Sequence, residues 1–566
     1  MVTFDDEKQK KQLEELRTEE EENLIRVLAE SKYNLPYINL KPIPIENEAL
    51  RTVPEEEARG LGVAPFRLLG KNLHVAVFSP NKPEVKQALD NLTTRGFKTF
   101  VYMASNQSLK KVWNRYEELS LAESAKAGGL DVSGDVLVEL GKEITSLKDV
   151  SRIINERTKA VKTHRVSRML EVLLAGAISI DASDVHIEPG EQKTLLRYRI
   201  DGILQDVMNF EPDIFRMMAA RIKLISGLKL SSEATAQDGR FSIWIGKDEI
   251  NVRVSTVPGA YGEGFVMRLL NPKSIRVGLD ELGIEPKLFE IIEREIKRPQ
   301  GMILVTGPTG SGKTTTLYAF LKKIYSEETK TITIEDPIEY HLPGITQTQV
   351  EPLRGYTFLA GLRAAMRQDP DVIMVGEIRD AETAATAIDA ALTGHIVFST
   401  LHTNNAAGVI PRLLDLEVNA KILPSALTLS LAQRLVRKLC NHCKKEASPT
   451  PEEEKLIREI IAKGIANGKD FASYNITAEM PIKIFKATGC DKCSHLGYKG
   501  RLGVFEAILT DDKIATLIAE KPSDREIKKI ALSQRIFDMR EDGVIKILRG
   551  ITTLEELRST VDIYSE

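Results

Sequence analysis

The hydrophobic and polar positions divide the chain into segments with different spacings. Residues 1–34 are charged almost throughout, and their leucines form only a thin stripe, at Leu13, Leu16, Leu24 and Leu28. A charged helix with so narrow an apolar face is typically solvated or docked on a partner. The pattern therefore predicts a charged N-terminal helix with one of these two roles.

A compact α/β pattern follows over residues 35–118. The apolar run Leu73–Phe78 predicts a strand, Pro83–Leu92 a helix and Thr99–Met103 a second strand. This segment shows no cluster of catalytic residues, so we expect a small docking or regulatory domain. Residues 119–148 contain the polar, Gly-containing stretch AKAGGLDVSGD, which is typical of a linker.

A second domain with its own strand pattern is predicted over residues 149–270. Alternating apolar and polar residues predict strands at Thr194–Ile200, Arg240–Ile245 and Ile250–Ser255, each bounded by turn signals. The stretch after this domain, residues 271–285, has the composition of a second linker.

Residues 286–566 contain short apolar runs that alternate with helix patterns, which is typical of a mainly parallel sheet. At 566 residues the chain is too long for one hydrophobic core, and about three or four domains are expected. The predicted fold class is α/β and multidomain, with two smaller α/β or α+β domains before a larger one.

Composition and charge narrow the classes of function. The chain has a formal net charge of −3 and is 42% hydrophobic and 28% charged, an ordinary balance for a globular protein. It gives no sign of the basic surface that nucleic-acid binding requires. No stretch approaches the roughly 18–20 apolar residues that span a bilayer, and no signal-peptide core is present, so we expect a cytosolic protein. Four cysteines fit a reducing compartment.

A phosphate-binding motif stands between a strand and a helix pattern. The apolar run at 303–306 is followed at once by GPTGSGKT at 307–314 and then by TTLYAFLKKIY, the strand–GxxxxGK[ST]–helix order that this motif requires. Its glycines let the backbone N–H groups face the phosphates of ATP. We expect Lys313 to reach the β- and γ-phosphates and Thr314 to hold Mg²⁺. The predicted ATP-binding residues are Gly307, Pro308, Thr309, Gly310, Ser311, Gly312, Lys313, Thr314 and Thr315.

Two acidic segments follow the motif at the ends of predicted strands. The segment TITIEDPIE places Glu335 at a strand end with Asp336 and Glu339 beyond it, and DVIMVGE places Glu377 after another strand. Ligands bind at the carboxyl ends of parallel strands, so these acids are candidates for holding Mg²⁺ and orienting the attacking water. Ordinary acids that cap strand ends are the alternative.

Two histidines, His395 and His402, flank the apolar strand within ALTGHIVFSTLH. A histidine at this place is a candidate sensor of the γ-phosphate or of a neighbouring subunit, and a structural role is the alternative.

All four cysteines occur as two CxxC pairs, Cys440 with Cys443 and Cys490 with Cys493. Two such pairs in a cytosolic chain predict a tetrahedral zinc site, which is structural because four thiolates leave no open position. The intervening segment begins a helix of its own at Thr450-Pro451-Glu452-Glu453, a capping-box pattern. A redox dithiol is the alternative.

Taken together, these motifs resemble the GspE/PilB family of secretion ATPases, the hexameric motors of type II secretion and type IV pilus assembly. The resemblance covers about residues 150–566, and residues 35–117 are more loosely similar. It rests on GPTGSGKTTTLYAFL, TIEDPIEY, RQDPDVIMVGEIRD, TGHIVFSTLHTN, LAQRLVRKLC, the two CxxC pairs and GYKGRLGVFE. It implies a RecA-like P-loop ATPase core over 286–566 with a zinc subdomain at about 436–505, and a PAS-like, nucleotide-facing domain over 149–270.

The resemblance also implies roles for individual residues. Glu335 is similar to the residue that polarises the attacking water, and Glu377 to the Walker B acid near Mg²⁺. His402 lies in the box that helps couple hydrolysis to movement, which makes Lys313, Glu335, Glu377 and His402 the predicted catalytic residues. Three further residues are similar to arginines that reach the nucleotide, where their charge neutralises the phosphates: Arg240, Arg253 and Arg268.

The function implied is that of a cytoplasmic homo-hexamer, recruited to the inner face of the cell membrane, which uses ATP, Mg²⁺ and Zn²⁺. It would drive the assembly of pilin-like subunits through an inner-membrane platform protein and other parts of the machinery. Two alternatives stay open. One is a DNA-uptake or nucleic-acid-translocating motor, against which the acidic balance counts. The other is a non-hydrolysing, nucleotide-gated scaffold.

Overall fold

The structure is a computed structural model. It describes residues 21–40, 43, 45–50, 52–127, 139–141, 143–144, 146–160, 165–230, 234–245, 248–271 and 277–564. The start of the predicted N-terminal helix and parts of both predicted linkers lie outside the described residues, namely 1–20, 128–138 and 272–276.

The chain divides into two compact units, Met1–Asp131 and Val132–Glu566. The boundary between them falls inside the segment 119–148 that the sequence predicts to be a linker.

The first unit is built on a three-stranded sheet. Strand β1 (Val63–Leu69) is antiparallel to β2 (Asn72–Val77), and β2 is parallel to β3 (Lys98–Met103). The two predicted strands and the predicted helix are confirmed as β2, β3 and α3, with small shifts at their ends. The helices of this unit are α1 (Asn47–Leu50), α2 (Glu55–Leu61), α3 (Pro83–Thr94) and α4 (Asn106–Ala127).

Helix α4 packs on the rest of the first unit and extends beyond residue 118, where the sequence predicts this domain to end. The indole N–H of Trp113 donates to the carbonyl of Val63 at 2.9 Å, and the hydroxyl of Tyr116 donates to the carbonyl of Leu50 at 3.1 Å. The helix continues to Ala127, into the predicted linker, because the segment SLAESAKA consists mostly of good helix formers.

The described end of the predicted N-terminal helix packs on the first unit. Residues 21–28 are helical and lead into a π-helical turn at Ala29–Tyr33. The carboxylate of Glu22, which is 9% exposed, accepts a hydrogen bond from Ser105 Oγ at 2.7 Å.

The second unit begins with a six-stranded sheet whose order is β6–β5–β4–β9–β8–β7, all neighbours antiparallel. Buried and half-buried residues alternate along β5, as expected for a sheet with one face on the core. The three predicted strands are confirmed as β5, β7 and β8. The strands are β4 (Ala182–Pro189), β5 (Thr194–Ile200), β6 (Ile203–Phe210), β7 (Gln237–Ile245), β8 (Asp248–Gly259) and β9 (Gly262–Leu270). The helices are α5 (Leu147–Ala160), α6 (Arg165–Ser179) and α7 (Pro212–Ile225).

A seven-stranded sheet follows, in the order β12–β11–β13–β14–β10–β15–β18. Its neighbours are parallel except β15 and β18, which confirms the prediction of a mainly parallel sheet. The strands are β10 (Gly301–Thr306), β11 (Thr331–Glu335), β12 (Thr346–Gln349), β13 (Val372–Val375), β14 (Ile396–Leu401), β15 (Leu427–Leu439) and β18 (Tyr498–Leu509). The helices are α8 (Pro286–Glu295), α9 (Lys313–Ile324), α10 (Phe358–Met366), α11 (Ala381–Leu392), α12 (Val409–Asp415), α13 (Leu423–Ala426), α15 (Asp512–Ile518), α16 (Asp524–Ala531), α17 (Met539–Leu548) and α18 (Leu554–Thr560).

Successive residues of the central strands enter two different hydrophobic cores. Leu304 and Val397 belong to the core on one face of the sheet, whereas Ile303 and Phe398 belong to the core on the other. Both faces are therefore covered, which is why β10 and β14 are buried along their whole length.

A small insert lies between β15 and β18. It contains the antiparallel pair β16 (Lys445–Ala447) and β17 (Ile484–Lys486) and the helix α14 (Pro451–Ala466). The predicted capping box is confirmed, because Thr450 Oγ1 accepts from Glu453 N and the Glu453 carboxylate accepts from Thr450 N. Among all helices of the described residues, none is long and apolar enough to cross a membrane.

We predict that Phe398→Ala lowers the free energy of unfolding of the second unit by about 3–5 kcal/mol, because it opens a cavity in a core that is fully buried. Urea denaturation followed by circular dichroism measures the change. Ile465→Ala, which truncates a side chain that is 41% exposed, is the control and shifts the transition much less. Equal shifts for the two variants would contradict the packing described for β14.

Candidate functional site

The loop between β10 and α9 has a backbone that only glycine adopts without strain at three of its positions. Gly307, Gly310 and Gly312 have φ values of 148°, 80° and 91°. A Cβ atom on Gly307 would lie 2.6 Å from the carbonyl oxygen of Gln433, and one on Gly312 would lie 2.7 Å from Gln433 Nε2. The loop therefore packs closely against β15, and Gly307 and Gly312 are needed for space as well as for conformation.

The loop has polar groups suited to an anion. Among the described residues, Ser311 Oγ is one of the buried side-chain atoms that have no hydrogen-bond partner. Lys313 opens helix α9, and its ammonium group donates to the carbonyls of Gly307 at 2.8 Å and Pro308 at 3.1 Å. Burial lowers the pKa of Lys313, while the carboxylate of Glu377 acts in the opposite direction. A free donor, a helix N-terminus and a partly buried ammonium group fit the phosphates of a nucleotide.

Glu335 ends β11 and is only 2% exposed. Its carboxylate accepts hydrogen bonds from Thr333 Oγ1 at 2.5 Å, from Gln347 Nε2 at 3.0 Å and from the hydroxyl of Tyr318. Burial raises the pKa of Glu335, and these three hydrogen bonds lower it. The carboxylate is thus oriented and shielded from solvent.

Glu377 follows β13 and has a side chain that is 13% exposed. Its two oxygens lie 2.5 Å from Arg379 Nη2 and 3.4 Å from His402 Nε2. His402 itself follows β14 and is about half exposed. The structure therefore brings together the predicted Walker B acid and the predicted histidine, and Glu377 also acts electrostatically on Lys313.

His395 lies at the opposite end of the parallel strands from the phosphate-binding loop. Its carbonyl accepts from the backbone N–H of Gly301, the first residue of β10, whereas the phosphate-binding loop follows the last residue of that strand. Its Nδ1 lies 2.9 Å from the carbonyl of Ala390 in α11. These contacts favour the structural alternative for His395.

The three predicted arginines occupy directly paired positions on adjacent strands. Arg240 pairs with Arg253, and Arg253 with Arg268. Arg253 Nη2 donates to the carbonyl of Ile338 at 3.0 Å and lies 3.3 Å from a carboxylate oxygen of Glu339. Through Arg253, the row of three arginines contacts the acidic segment after β11 of the same chain.

The other two arginines make different contacts. Arg268 Nε donates to the buried carboxylate of Asp184 at 2.8 Å, and this hydrogen bond raises the pKa of Arg268. The side chain of Arg240 is exposed. Contact of any of the three arginines with a nucleotide stays a prediction.

The four cysteine sulfurs form one cluster, in which all ligand atoms lie within 4.8 Å of one another. The Cys440–Cys490, Cys443–Cys493 and Cys490–Cys493 sulfur distances are 3.9, 3.8 and 3.7 Å. Four thiolates at a Zn–S distance of about 2.3 Å stand about 3.8 Å apart in a tetrahedron. The backbone N–H groups of Cys490 and Gly497 both donate to Cys493 Sγ at 3.2 Å. The cluster therefore fits a tetrahedral metal.

Two residues of β15 belong to the site although the sequence assigns them no role. Gln433, which is 1% exposed, accepts a hydrogen bond from Thr316 Oγ1 at 2.7 Å and forms the floor of the loop. Arg434 Nη2 donates to the carbonyl of Asn404, in the loop after His402, at 2.7 Å. Both lie in LAQRLVRKLC, and adjacent polar residues inside an apolar strand pattern are the signal that points to them.

Fold and site together define a class of protein. A phosphate-binding loop at the carboxyl edge of a mainly parallel sheet, with acids at the ends of neighbouring strands, is the arrangement of a RecA-like P-loop ATPase. The family model for "Type II/IV secretion system protein" matches residues 159–559, and the model for the "MshEN domain" matches residues 33–123. The chain belongs to the Type II/IV secretion system protein family and is an ATPase of that family.

Two relatives named for pilus assembly or secretion agree with this assignment. The Type IV pilus assembly ATPase PilB of Myxococcus xanthus is 36% identical over 538 residues, which cover 95% of this chain and 91% of that protein. The Type II secretion system ATPase E of Vibrio cholerae is 43% identical over 392 residues, which cover 69% of this chain and 74% of that protein. Among solved structures, the ATPase DotB of Legionella pneumophila has a TM-score of 0.49 and 22% identity, and covers 69% of this chain and 95% of that one.

Proposed function

We propose that this chain is a motor that hydrolyses ATP to drive the assembly of pilin-like subunits, in a type IV pilus or in the pseudopilus of type II secretion. The observation that carries the proposal is the common end of the parallel strands, where Glu335 ends β11, Glu377 follows β13, and Lys313 follows the loop after β10. Relatives named for type II secretion and for type IV pilus assembly cover most of the chain. Their names do not separate the two machines.

The phosphates of ATP bind to the loop 307–315, and Thr314 and Glu377 hold Mg²⁺ in this proposal. Lys313 supplies the cation for the β- and γ-phosphates, and its present partners are backbone carbonyls, which are weaker partners than a phosphate. His402, whose Nε2 lies 3.4 Å from a carboxylate oxygen of Glu377, helps to couple hydrolysis to movement in this proposal. When bound, ATP would supply the bond that is cleaved, and Mg²⁺ would supply the positive charge that activates this bond.

The assembly proposed is a homo-hexamer at the cytoplasmic face of the inner membrane, bound there by a platform protein and other parts of the machinery. Support for it comes from the family to which the chain belongs. The contact between Arg253 and Glu339 supports a coupling between hydrolysis and movement, because it joins the six-stranded sheet to the acidic segment.

We propose zinc as the metal of the cysteine cluster, in a structural role. We expect one zinc per chain by elemental analysis, and we expect Cys443→Ser with Cys493→Ser to lose the metal and lower the melting temperature. The exposed neighbour His495, whose partner is Asp491 at 3.0 Å, is the control, and His495→Ala keeps its zinc. A metal-free protein with disulfides between the cysteines would instead support the redox dithiol.

Phosphate release tests the motor directly. With Mg²⁺-ATP we expect turnover that rises with protein concentration as the hexamer assembles, and a loss of about a hundredfold or more in Lys313→Ala, which removes a cation that stabilises the transition state. Lys322→Ala, an exposed lysine on the same helix, controls for the loss of charge. No turnover at any concentration would favour the scaffold alternative, and stimulation by DNA would favour the nucleic-acid motor.

The residue that polarises the attacking water is predicted to be Glu335. We expect Glu335→Gln to bind ATP with near-normal affinity and to lose cleavage, because the amide keeps the shape but not the charge. Glu339→Gln is the matched comparison, since Glu339 is half-buried, lies in the same segment and pairs with Arg253. Single-turnover cleavage and nucleotide binding are measured for both variants. Normal cleavage in Glu335→Gln together with loss in Glu339→Gln would move the role to Glu339.

A further inference from the structure

Gln347, in the edge strand β12, uses both ends of its side-chain amide. Its Nε2 donates to Glu335 Oε1 at 3.0 Å and to the carbonyl of Tyr340 at 3.1 Å, and its Oε1 accepts from the backbone N–H of Leu342 at 2.7 Å. The hydroxyl oxygen of Tyr318 lies 3.4 Å from the same Nε2. A side chain with two donors and an acceptor is required to make these contacts together, and only an amide of this length has them.

These contacts join three separate parts of the site. Tyr318 belongs to α9, the helix that begins at Lys313, and Glu335 ends β11. Tyr340 and Leu342 belong to the loop that leaves β11 and returns to β12, which is the loop of the acidic segment. The ring of Tyr318 also packs edge-on against the ring of Tyr340, with centroids 4.7 Å apart. The loop is thereby attached to helix α9 by the hydrogen bonds of Gln347 and by the contact between the rings of Tyr318 and Tyr340.

The same loop carries the contact to the preceding domain. Arg253 of β8 donates to the carbonyl of Ile338 and lies 3.3 Å from Glu339. Ile338 and Glu339 are only two residues and one residue before Tyr340 in the sequence. The position of Glu339 opposite Arg253 therefore depends on where Gln347 and Tyr318 hold the loop.

We infer that Gln347 is a positioning residue for ATP hydrolysis. It holds the carboxylate of Glu335 and the loop that carries Glu339 in fixed positions relative to helix α9. This inference rests on the proposed function and names a residue through which the acidic segment is oriented. Gln347 contacts Glu335 and the loop backbone, so it acts through them and not on the nucleotide.

The hydrogen bond from Gln347 to Glu335 also affects how turnover depends on pH. The titratable groups that face Glu335 are Tyr318 from α9 and Glu339 from the loop, and the hydrogen bond from Gln347 lowers the pKa of Glu335. Loss of that hydrogen bond raises the pKa of Glu335, so that the carboxylate becomes protonated at a higher pH. The acidic limb of the rate profile then moves to higher pH.

The test compares Gln347→Ala with Gln349→Ala in the full chain. Gln349 is the same residue type, two positions along the same strand, and its side chain is exposed. For Gln347→Ala we expect kcat to fall about tenfold, the KM for ATP to change little, and the acidic limb of the kcat profile to move to higher pH. Gln349→Ala is expected to behave like the wild type in all three measurements.

Tyr318→Phe is the second variant, because it removes a second donor to Glu335 and keeps the ring against Tyr340. It is expected to move the acidic limb in the same direction, and it serves as the test if Gln347→Ala melts at a much lower temperature than the wild type. Wild-type protein without turnover would contradict the proposed function itself. Active wild type, with unshifted limbs in Gln347→Ala and Tyr318→Phe, would overturn the inference and leave the function standing.

Discussion

The shape of the phosphate-binding loop depends on its contact with Gln433 of β15. The backbone oxygen and the amide of this residue occupy the space that side chains at positions 307 and 312 would need. Thr316 in the first turn of α9 donates to the same amide. Strand β10 pairs in parallel with β14 on one side and with β15 on the other. The loop that follows β10 therefore lies next to β15, where the side chain of Gln433 is buried. The loop and the helix after it are thus fitted to β15 before any ligand binds.

The parallel sheet also explains why the acidic residues meet the loop. Strands β11, β13, β14 and β10 are consecutive neighbours, and each is followed by a polar residue of the site. Parallel strands end at one edge, so side chains that are far apart in sequence become neighbours there. A carboxylate as buried as Glu335 would be costly without partners, and its three hydrogen bonds offset that cost.

The six-stranded sheet touches the rest of the second unit at two places that bear on function. Arg253 meets the acidic segment at Ile338 and Glu339. Asp201, in the turn between β5 and β6, accepts from the backbone N–H of Gly500 at 2.8 Å, at the start of β18 and close in sequence to the cysteine Cys493. A movement of this sheet would therefore change the surroundings of the acidic segment and of the cysteine-bearing insert together.

The sequence by itself determined the phosphate-binding loop, the pairing of the cysteines and the mainly parallel sheet. Each of these is a local pattern: glycines at fixed spacing before Lys313, two CxxC pairs, and short apolar runs that alternate with helices. Burial and contact were decided only by the tertiary structure. It placed His395 at the end of the parallel strands away from the phosphate-binding loop, although His395 and His402 both flank the same apolar run in the sequence. It also brought Gln433 and Gln347 against the loop and Glu335, because contacts between strands and across long sequence separations leave no local pattern in the chain.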